Sequence, residues 1–280
     1  MDKGHKIEKM NRDSDSVLLQ ATPVNRSLAI KPDGFTSLVE ALDYAAQGES
    51  GFNFYNQKGE LESVLGYTRL REQARTLAAR LLGLGCNKGD RVGIVAETNP
   101  MFHRFFFACL YAGLVPVALP AGVQLGARKA YVNQIARMLK SCGATVAVAG
   151  ISHAPFLEEA AADLNLVFAG TPEEFDALPA SDAELNSPLG SDIAYLQYTS
   201  GSTRFPRGVE INHETVLNNA GEIARHGLNM TNEDRFVSWL PYYHDMGLIG
   251  FILLPLVTQS SVDYLSPQTF AMRPRLWLKP

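Results

Sequence analysis

Cysteine is scarce and unpatterned in this chain. Cys86, Cys109 and Cys142 stand far apart, odd in number and without a CxxC. That excludes a disulfide framework and a cysteine zinc site, and reduced thiols in a cytoplasmic protein are the expected state. An excess of one charge is lacking too: 25 basic and 29 acidic residues leave −4, which excludes nucleic acid or an anionic membrane surface as the main partner. The amino terminus has no apolar stretch, so no secretory signal is expected. Its basic residues (Lys3, Lys6, Lys9, Arg12) are cancelled by Asp2, Glu8, Asp13 and Asp15, and residues 1–34 read as a polar, poorly ordered extension. Long apolar runs are rare. Phe105 to Val123 is nineteen residues without a charge, enough for a membrane span. Gly113, Pro116 and Pro120 divide it, however, into a buried helix ending near Gly113 and a buried strand at Val115–Leu119, so no transmembrane span is expected.

Two nucleotide motifs are also missing. The phosphate loop of common NTPases needs four residues between its glycines and then Lys-Ser/Thr; no such run occurs. The nearest approach to a dinucleotide fingerprint, Gly83-Leu84-Gly85-Cys86-Asn87-Lys88-Gly89, has its third glycine one place late. It also precedes a strand instead of following one, and so reads as a helix end and turn.

What is present is an alternation of helix and strand signals in a chain that is 46% apolar and 19% charged, as expected for a globular protein able to bury a sizeable core. Ser37 and Glu40 form a capping box for a helix through Leu38, Leu42 and Ala45. A second helix opens at Thr68 with the face Leu70, Ala74, Leu77 and Leu81. Strands are expected at 91–96, 115–119, 144–149 and 166–168, with helices from Asn99-Pro100, over 131–141 and over 153–163. Residues 170–190, rich in Pro, Ser, Asp and Glu, read as a surface connection. Strands at 193–198, 209–211, 235–240 and 262–265 follow, with helices over 214–225 and 246–257. Phe270–Lys279 opens a further helix that should pack through Leu276 and Trp277, and its short length reads as truncation. The fold class is α/β, with mostly parallel sheets flanked by helices. The organisation reads as a first lobe over 35–170, a connection over 171–190 and the start of a second lobe over 191–280.

Two segments carry chemistry. The first is Tyr198-Thr199-Ser200-Gly201-Ser202-Thr203-Arg204-Phe205-Pro206-Arg207-Gly208-Val209, a hydroxyl-rich loop between two strands. Its backbone N–H groups and the hydroxyls of Thr199, Ser200, Ser202 and Thr203 suit phosphate oxygens. Gly201 and Gly208 permit close approach of an anion, and Arg207 adds a charged fork. On residue chemistry alone, a phosphate loop and a plain surface loop both fit. The second is Ser238-Trp239-Leu240-Pro241-Tyr242-Tyr243-His244-Asp245-Met246-Gly247-Leu248-Ile249. His244-Asp245 reads either as a capped helix start or as a site, and the apolar helix after it either as ordinary core or as a ligand wall. The remaining histidines show no ligand spacing, and His213 reads as a helix-start residue.

Tyr198–Val209 resembles TSGSTGxPKGV, the signature of the adenylate-forming ligases, with Arg204 in place of a glycine and Arg207 in place of a lysine. Ser238–Ile249 resembles WLPxxHDMGLI, the form found in fatty-acyl-AMP ligases; acyl-CoA ligases carry a looser P-x-x-H-x-x-G. Gly89–Val92, Tyr111–Val117 and Tyr195–Tyr198 agree, and the resemblance spans about residues 35 to 278. It implies a ligase that joins a fatty acid to AMP at the expense of ATP, with Mg2+, and passes the acyl group to an acyl carrier protein or polyketide synthase. It implies that Thr199, Ser200, Gly201, Ser202, Thr203 and Gly208 bind ATP phosphates, with Thr199 a candidate Mg2+ ligand. His244 and Arg207 would be catalytic, His244 beside the fatty-acid carboxylate and the reacting phosphate. Trp239, His244, Asp245, Met246, Gly247 and Leu248 would line the acyl site, Asp245 holding the His244 loop, and each methylene buried there would contribute about 0.8 kcal/mol. The family's adenine strand, Mg2+-binding Glu, ribose Asp, hinge and catalytic Lys have no counterpart here, so the chain is expected to be inactive alone. An acyl-CoA ligase fragment, and a non-catalytic module binding acyl chains or a partner protein, are the alternatives.

Overall fold

The computed structural model describes residues 19–122, 127–199 and 206–278. The first half runs α1 (Leu38–Ala45), β1 (Gly51–Tyr55), β2 (Leu61–Gly66), α2 (Tyr67–Gly83), β3 (Arg91–Val95), α3 (Pro100–Ala112), β4 (Val115–Leu119) and α4 (Arg128–Cys142). Then come β5 (Ala144–Val148), α5 (Ala154–Ala161), β6 (Phe168–Gly170), α6 (Pro172–Asp176), β7 (Ile193–Tyr198), β8 (Gly208–Asn212) and α7 (His213–Glu222). The last part holds β9 (Phe236–Ser238), α8 (Asp245–Leu248), α9 (Leu254–Val257), β10 (Val262–Tyr264) and α10 (Pro267–Met272).

Strand order is β6-β5-β3-β4-β7-β8 in one sheet and β2-β1-β10-β9 in the other. The first is parallel except for β8, which runs antiparallel to β7. In the second only the β1–β2 pair is antiparallel. Side chains of the central strands alternate between two cores. Val92, Ile94, Val146 and Val148 enter a large core shared with the second sheet and with α1, α2 and α3. Val95, Val117, Leu119 and Ala147 face the other way, under α4 and α5. Gly93 lets α4 approach closely, since a Cβ there would stand 2.6 Å from Leu139.

The uncharged run is the buried helix α3 followed by β4. Asn99 caps α3 through Met101 N–H, Pro100 opens it, and Gly113 closes it at φ +70. Among the described residues no helix is long and apolar enough to cross a membrane.

Several expectations are revised. The helix expected from Thr68 starts one residue earlier, and the strand expected at 166–168 is Phe168–Gly170. The connection over 171–190 contains α6, whose capping box joins Thr171 and Glu174. It is tied down by Asp176 to Arg80 and Arg104, at 3.4 and 3.3 Å, and by Asn186 to the carbonyls of Tyr111 and Ala112. Residues 19–34, expected as part of a loose extension, are bound along the second sheet. Thr22 N–H donates to Asn53 at 2.9 Å, Lys31 N–H to Gln259 at 2.8 Å, and Arg235 to the Thr22 carbonyl at 2.6 Å. Each sheet also takes strands from both sides of residues 171–190: β7 and β8 complete the first sheet, and β9 and β10 join β1 and β2. The expected boundary between two lobes therefore divides neither sheet. The final segment folds as α10 and a 3-10 turn over Pro274–Leu278. Leu276 is buried, while Trp277 remains partly exposed with its indole N–H on the Val237 carbonyl at 3.3 Å.

Candidate active site

The hydroxyl-rich segment is the connection between β7 and β8. Tyr198 pairs with Gly208 in register, and Thr199 N–H donates to the Arg207 carbonyl at 2.9 Å. That bond occupies a backbone donor expected to face phosphate, leaving Thr199 its hydroxyl. Gly208 packs closely on Leu196: a Cβ would stand 2.9 Å from the end of its side chain, which would have to shift. Thr199 and Arg207 are exposed. Ser200, Gly201, Ser202 and Thr203, expected as phosphate ligands, and Arg204 lie outside the described residues.

The second segment follows β9. His244, not Asp245, occupies the N-cap position of α8; its backbone is extended and its carbonyl accepts from Leu248 N–H at 2.8 Å. The ring is left free for the surface and rests against Tyr243, with centroids 4.7 Å apart. Among the described residues the Asp245 side chain makes no hydrogen bond back to His244 or the turn before it. Its carboxylate accepts from Met246 N–H at 2.7 Å. Gly247 passes directly under the Pro241 carbonyl, 2.1 Å from where a Cβ would be. The spacing of Pro241 and Gly247 is thus set by packing, and His244 N–H donates to the Pro241 carbonyl at 3.2 Å, which presents the imidazole on a tight turn.

The two segments meet. Thr199 and His244 line one cavity of about 230 Å3, together with Tyr198, Pro206, Tyr243, Met138 and Gln134. Gln197 fixes their separation by donating to the Tyr243 carbonyl at 3.3 Å. Tyr198 donates to the Met138 carbonyl at 2.7 Å and is bonded to Ser141, which joins β7 to α4; burial pushes its phenol up to about 12. Gln134 and Met138 were not expected in a site. Nothing in their local sequence marks them, because they arrive through the parallel pairing of β4 with β7 and the helix packed beside it.

The acyl-binding residues do not gather around that cavity. Trp239 is stacked on Phe270, with ring centroids 3.9 Å apart and an interplanar angle of 1°. Met246 is exposed, and Leu248 and Ile252 are fully buried in the large core. Of the residues expected to line an acyl site, only His244 faces the cavity that holds Thr199. Among the described residues no three His, Cys, Asp or Glu side chains converge to hold a metal, and the Thr199 cavity contains no carboxylate. Mg2+ is bound through one or two carboxylates and substrate phosphates, so a Thr199 hydroxyl would serve it only together with such groups.

His213, expected as a helix-start residue, is the first residue of α7, buried, with Nδ1 accepting from Leu38 N–H at 3.1 Å.

Thr199, at the end of β7, and the N-capping His244 thus stand at one cavity of an α/β fold. Residues 50–279 match the family model described as AMP-binding enzyme, and this chain belongs to that family. It is 42% identical over 264 residues to a Caulobacter vibrioides protein that bears the provisional name acyl-CoA synthetase, covering 93% of this chain and 45% of the relative. It is 30% identical to a medium-chain-fatty-acid–[acyl-carrier-protein] ligase of Moorena producens, over 89% of this chain and 43% of that protein. A solved structure from work on fatty acyl-adenylate ligases of E. coli and L. pneumophila superposes with a TM-score of 0.85 at 47% identity, covering 91% of this chain and 45% of that one. The chain thus spans less than half the length of these relatives, and corresponds to their amino-terminal portion.

Proposed function

We propose that this chain is the amino-terminal portion of a fatty-acyl-AMP ligase, which activates a fatty acid with ATP and passes the acyl group to an acyl carrier protein. The convergence of Thr199 and His244 on one cavity supports this reading most directly. In the reaction a carboxylate oxygen forms a bond to the α-phosphorus of ATP while the bond to pyrophosphate breaks. Both partners are anionic, so positioning and charge stabilisation are what the protein contributes. The His244 imidazole N–H donates to the carboxylate or to an α-phosphate oxygen. The Thr199 hydroxyl and the Arg207 guanidinium hold the phosphates. We further propose that residues 1–280 do not carry out this reaction by themselves.

The test is ATP–pyrophosphate exchange with a panel of fatty acids, run on the purified chain after its folding is verified by circular dichroism. No exchange is expected. Exchange that depends on fatty acid, and is lost in Thr199→Ala or His244→Ala, would overturn the expected inactivity while supporting the roles of these residues. The name of the Caulobacter relative favours a second reading, an acyl-CoA ligase. Formation of acyl-CoA by the full-length protein, without loading of a carrier protein, would replace the first reading with the second.

A further inference from the structure

The six-stranded sheet opens at the carboxyl ends of β3 and β4. After β3 the chain enters α3, in the large core; after β4 it enters α4, on the opposite face. Such a divergence creates the crevice where open α/β sheets seat ligands. Here it holds a cavity of about 680 Å3. Glu97 and Asn99 bound it after β3, Ala121 after β4, and His153 after β5, with Tyr243 opposite. Tyr243 also lines the cavity of His244 and Thr199, so the two spaces share a wall.

One imidazole ties three strand ends together around this space. His153 Nε2 stands 2.7 Å from the Ala121 carbonyl, and Nδ1 stands 3.2 Å from Glu97 Oε1 and 3.0 Å from Ser152 Oγ. The Glu97 carboxylate also accepts from Gly150 N–H at 2.8 Å and from the Ser152 hydroxyl at 3.2 Å. A carbonyl and a carboxylate only accept, so each ring nitrogen must carry a proton to bond its partner, and a neutral imidazole has one. Ser152, donating to Glu97, likewise presents lone pairs to Nδ1. His153 and Glu97 side chains are 15% and 14% exposed, so water competes little for these bonds. From α4, Tyr131 faces the ring at 6.2 Å with its hydroxyl on the Pro120 carbonyl. Arg128 lies over Phe156 and is paired with Glu159.

We propose that His153 is an imidazolium latch: by donating at once to Glu97 and to the Ala121 carbonyl, it fixes the exits of β3, β4 and β5 and sets the wall of the cavity beside Tyr243 and His244. Loss of one proton releases one of the two partners. The Glu97 carboxylate raises the His153 pKa, chiefly by hydrogen bonding and against burial. The latch is therefore closed below that raised value and opens as pH rises through it. It goes beyond the proposed ligase reaction and does not depend on it.

Imidazole NMR of the 280-residue chain tests this directly. Both His153 ring nitrogens should be protonated below the titration midpoint, which should lie above the ordinary 6.5. Glu97→Gln keeps an acceptor oxygen but removes the charge, and should move that midpoint down. In His153→Gln, hydrogen-exchange protection of the Gly150 amide should fall about tenfold, because Glu97 is no longer held by a cationic partner. A wild-type midpoint at or below 6.5, or a midpoint unmoved by Glu97→Gln, would overturn the latch. The wild-type titration decides the question even if a variant does not fold.

Discussion

At Gly247 the absence of a side chain is the whole contribution of the residue. A Cβ there would lie 2.1 Å from the Pro241 carbonyl oxygen and 2.8 Å from its carbon, and backbone cannot step aside as a flexible side chain does. Gly247→Ala should therefore destabilise by about 1–3 kcal/mol, the range for overpacking. It should also displace the Tyr243–His244 turn. Met246 is the adjacent control: it is 63% exposed, and Met246→Ala should stay within about 0.5 kcal/mol. Equal denaturant midpoints for the two variants would show that the close approach is not what selects glycine. This residue-scale logic separates what was legible in the motifs from what was not. Thr199 and His244 were recognised as chemistry and do meet at one cavity. Trp239 and Leu248 belong to the same motif, yet one stacks on Phe270 and the other fills the core. A motif records packing constraints and site residues together, and the letters alone do not sort them.

The apolar segment expected as one helix over 246–257 is a continuous helical run interrupted by a wider π turn at Ile249–Leu253, between α8 and α9. Pro255 explains part of the interruption. It has no N–H for the carbonyl four residues earlier, that of Phe251, and the Tyr264 hydroxyl of β10 donates to that carbonyl instead. Tyr264 is buried at 1% exposure, so Tyr264→Phe strands the Phe251 carbonyl and should cost about 1–3 kcal/mol, measured by chemical denaturation. A loss within error would mean that another donor reaches Phe251. The same strand-to-helix dependence explains which elements the sequence reading missed. The longer helices and the strands of the six-stranded sheet announce themselves by periodicity and by flanking Gly and Pro, while the five-residue α6 does not. β1 and β2 do not. β1 is buried on both faces at four of its five positions, which erases the period-two alternation that marks a half-buried strand. Its central polar residue, Asn53, reads as a loop signal until its partners Thr22 and Asp263 are in place. Those partners are distant in sequence, so no local window contains the reason.

The whole molecule is organised by pairings that cross the chain, and this is why two sequential lobes were expected and two interleaved sheets are found. Helix and strand patterns identify elements, but not which strand lies beside which. Interleaving also places histidines where protons are costly. His103 is fully buried among Phe52, Phe54, Tyr242 and Tyr264. Its Nδ1 faces the Asn99 carbonyl at 3.3 Å, and its Nε2 has no hydrogen-bond partner among the described residues. Burial lowers its pKa to about 3. Burial also lowers His213 to about 4, against a smaller opposing effect of Asp192, and its Nδ1 must stay bare to accept from Leu38. In the unfolded chain both protonate near 6.5. Between that value and about 4 the unfolded state therefore binds more protons, and stability must fall as pH falls, by about 1.4 kcal/mol per pH unit for each fully responding histidine. His153 acts in the opposite sense: its raised pKa favours the folded state below that value, and its contribution is lost as pH rises. Denaturant titrations at pH 7, 6 and 5 should thus show a loss that steepens toward acid. His103→Phe keeps an aromatic ring in the cage and removes the titrating group, so its pH slope below 6 should be shallower by about one proton. A variant slope equal to that of the parent would assign the acid sensitivity to groups other than this buried imidazole.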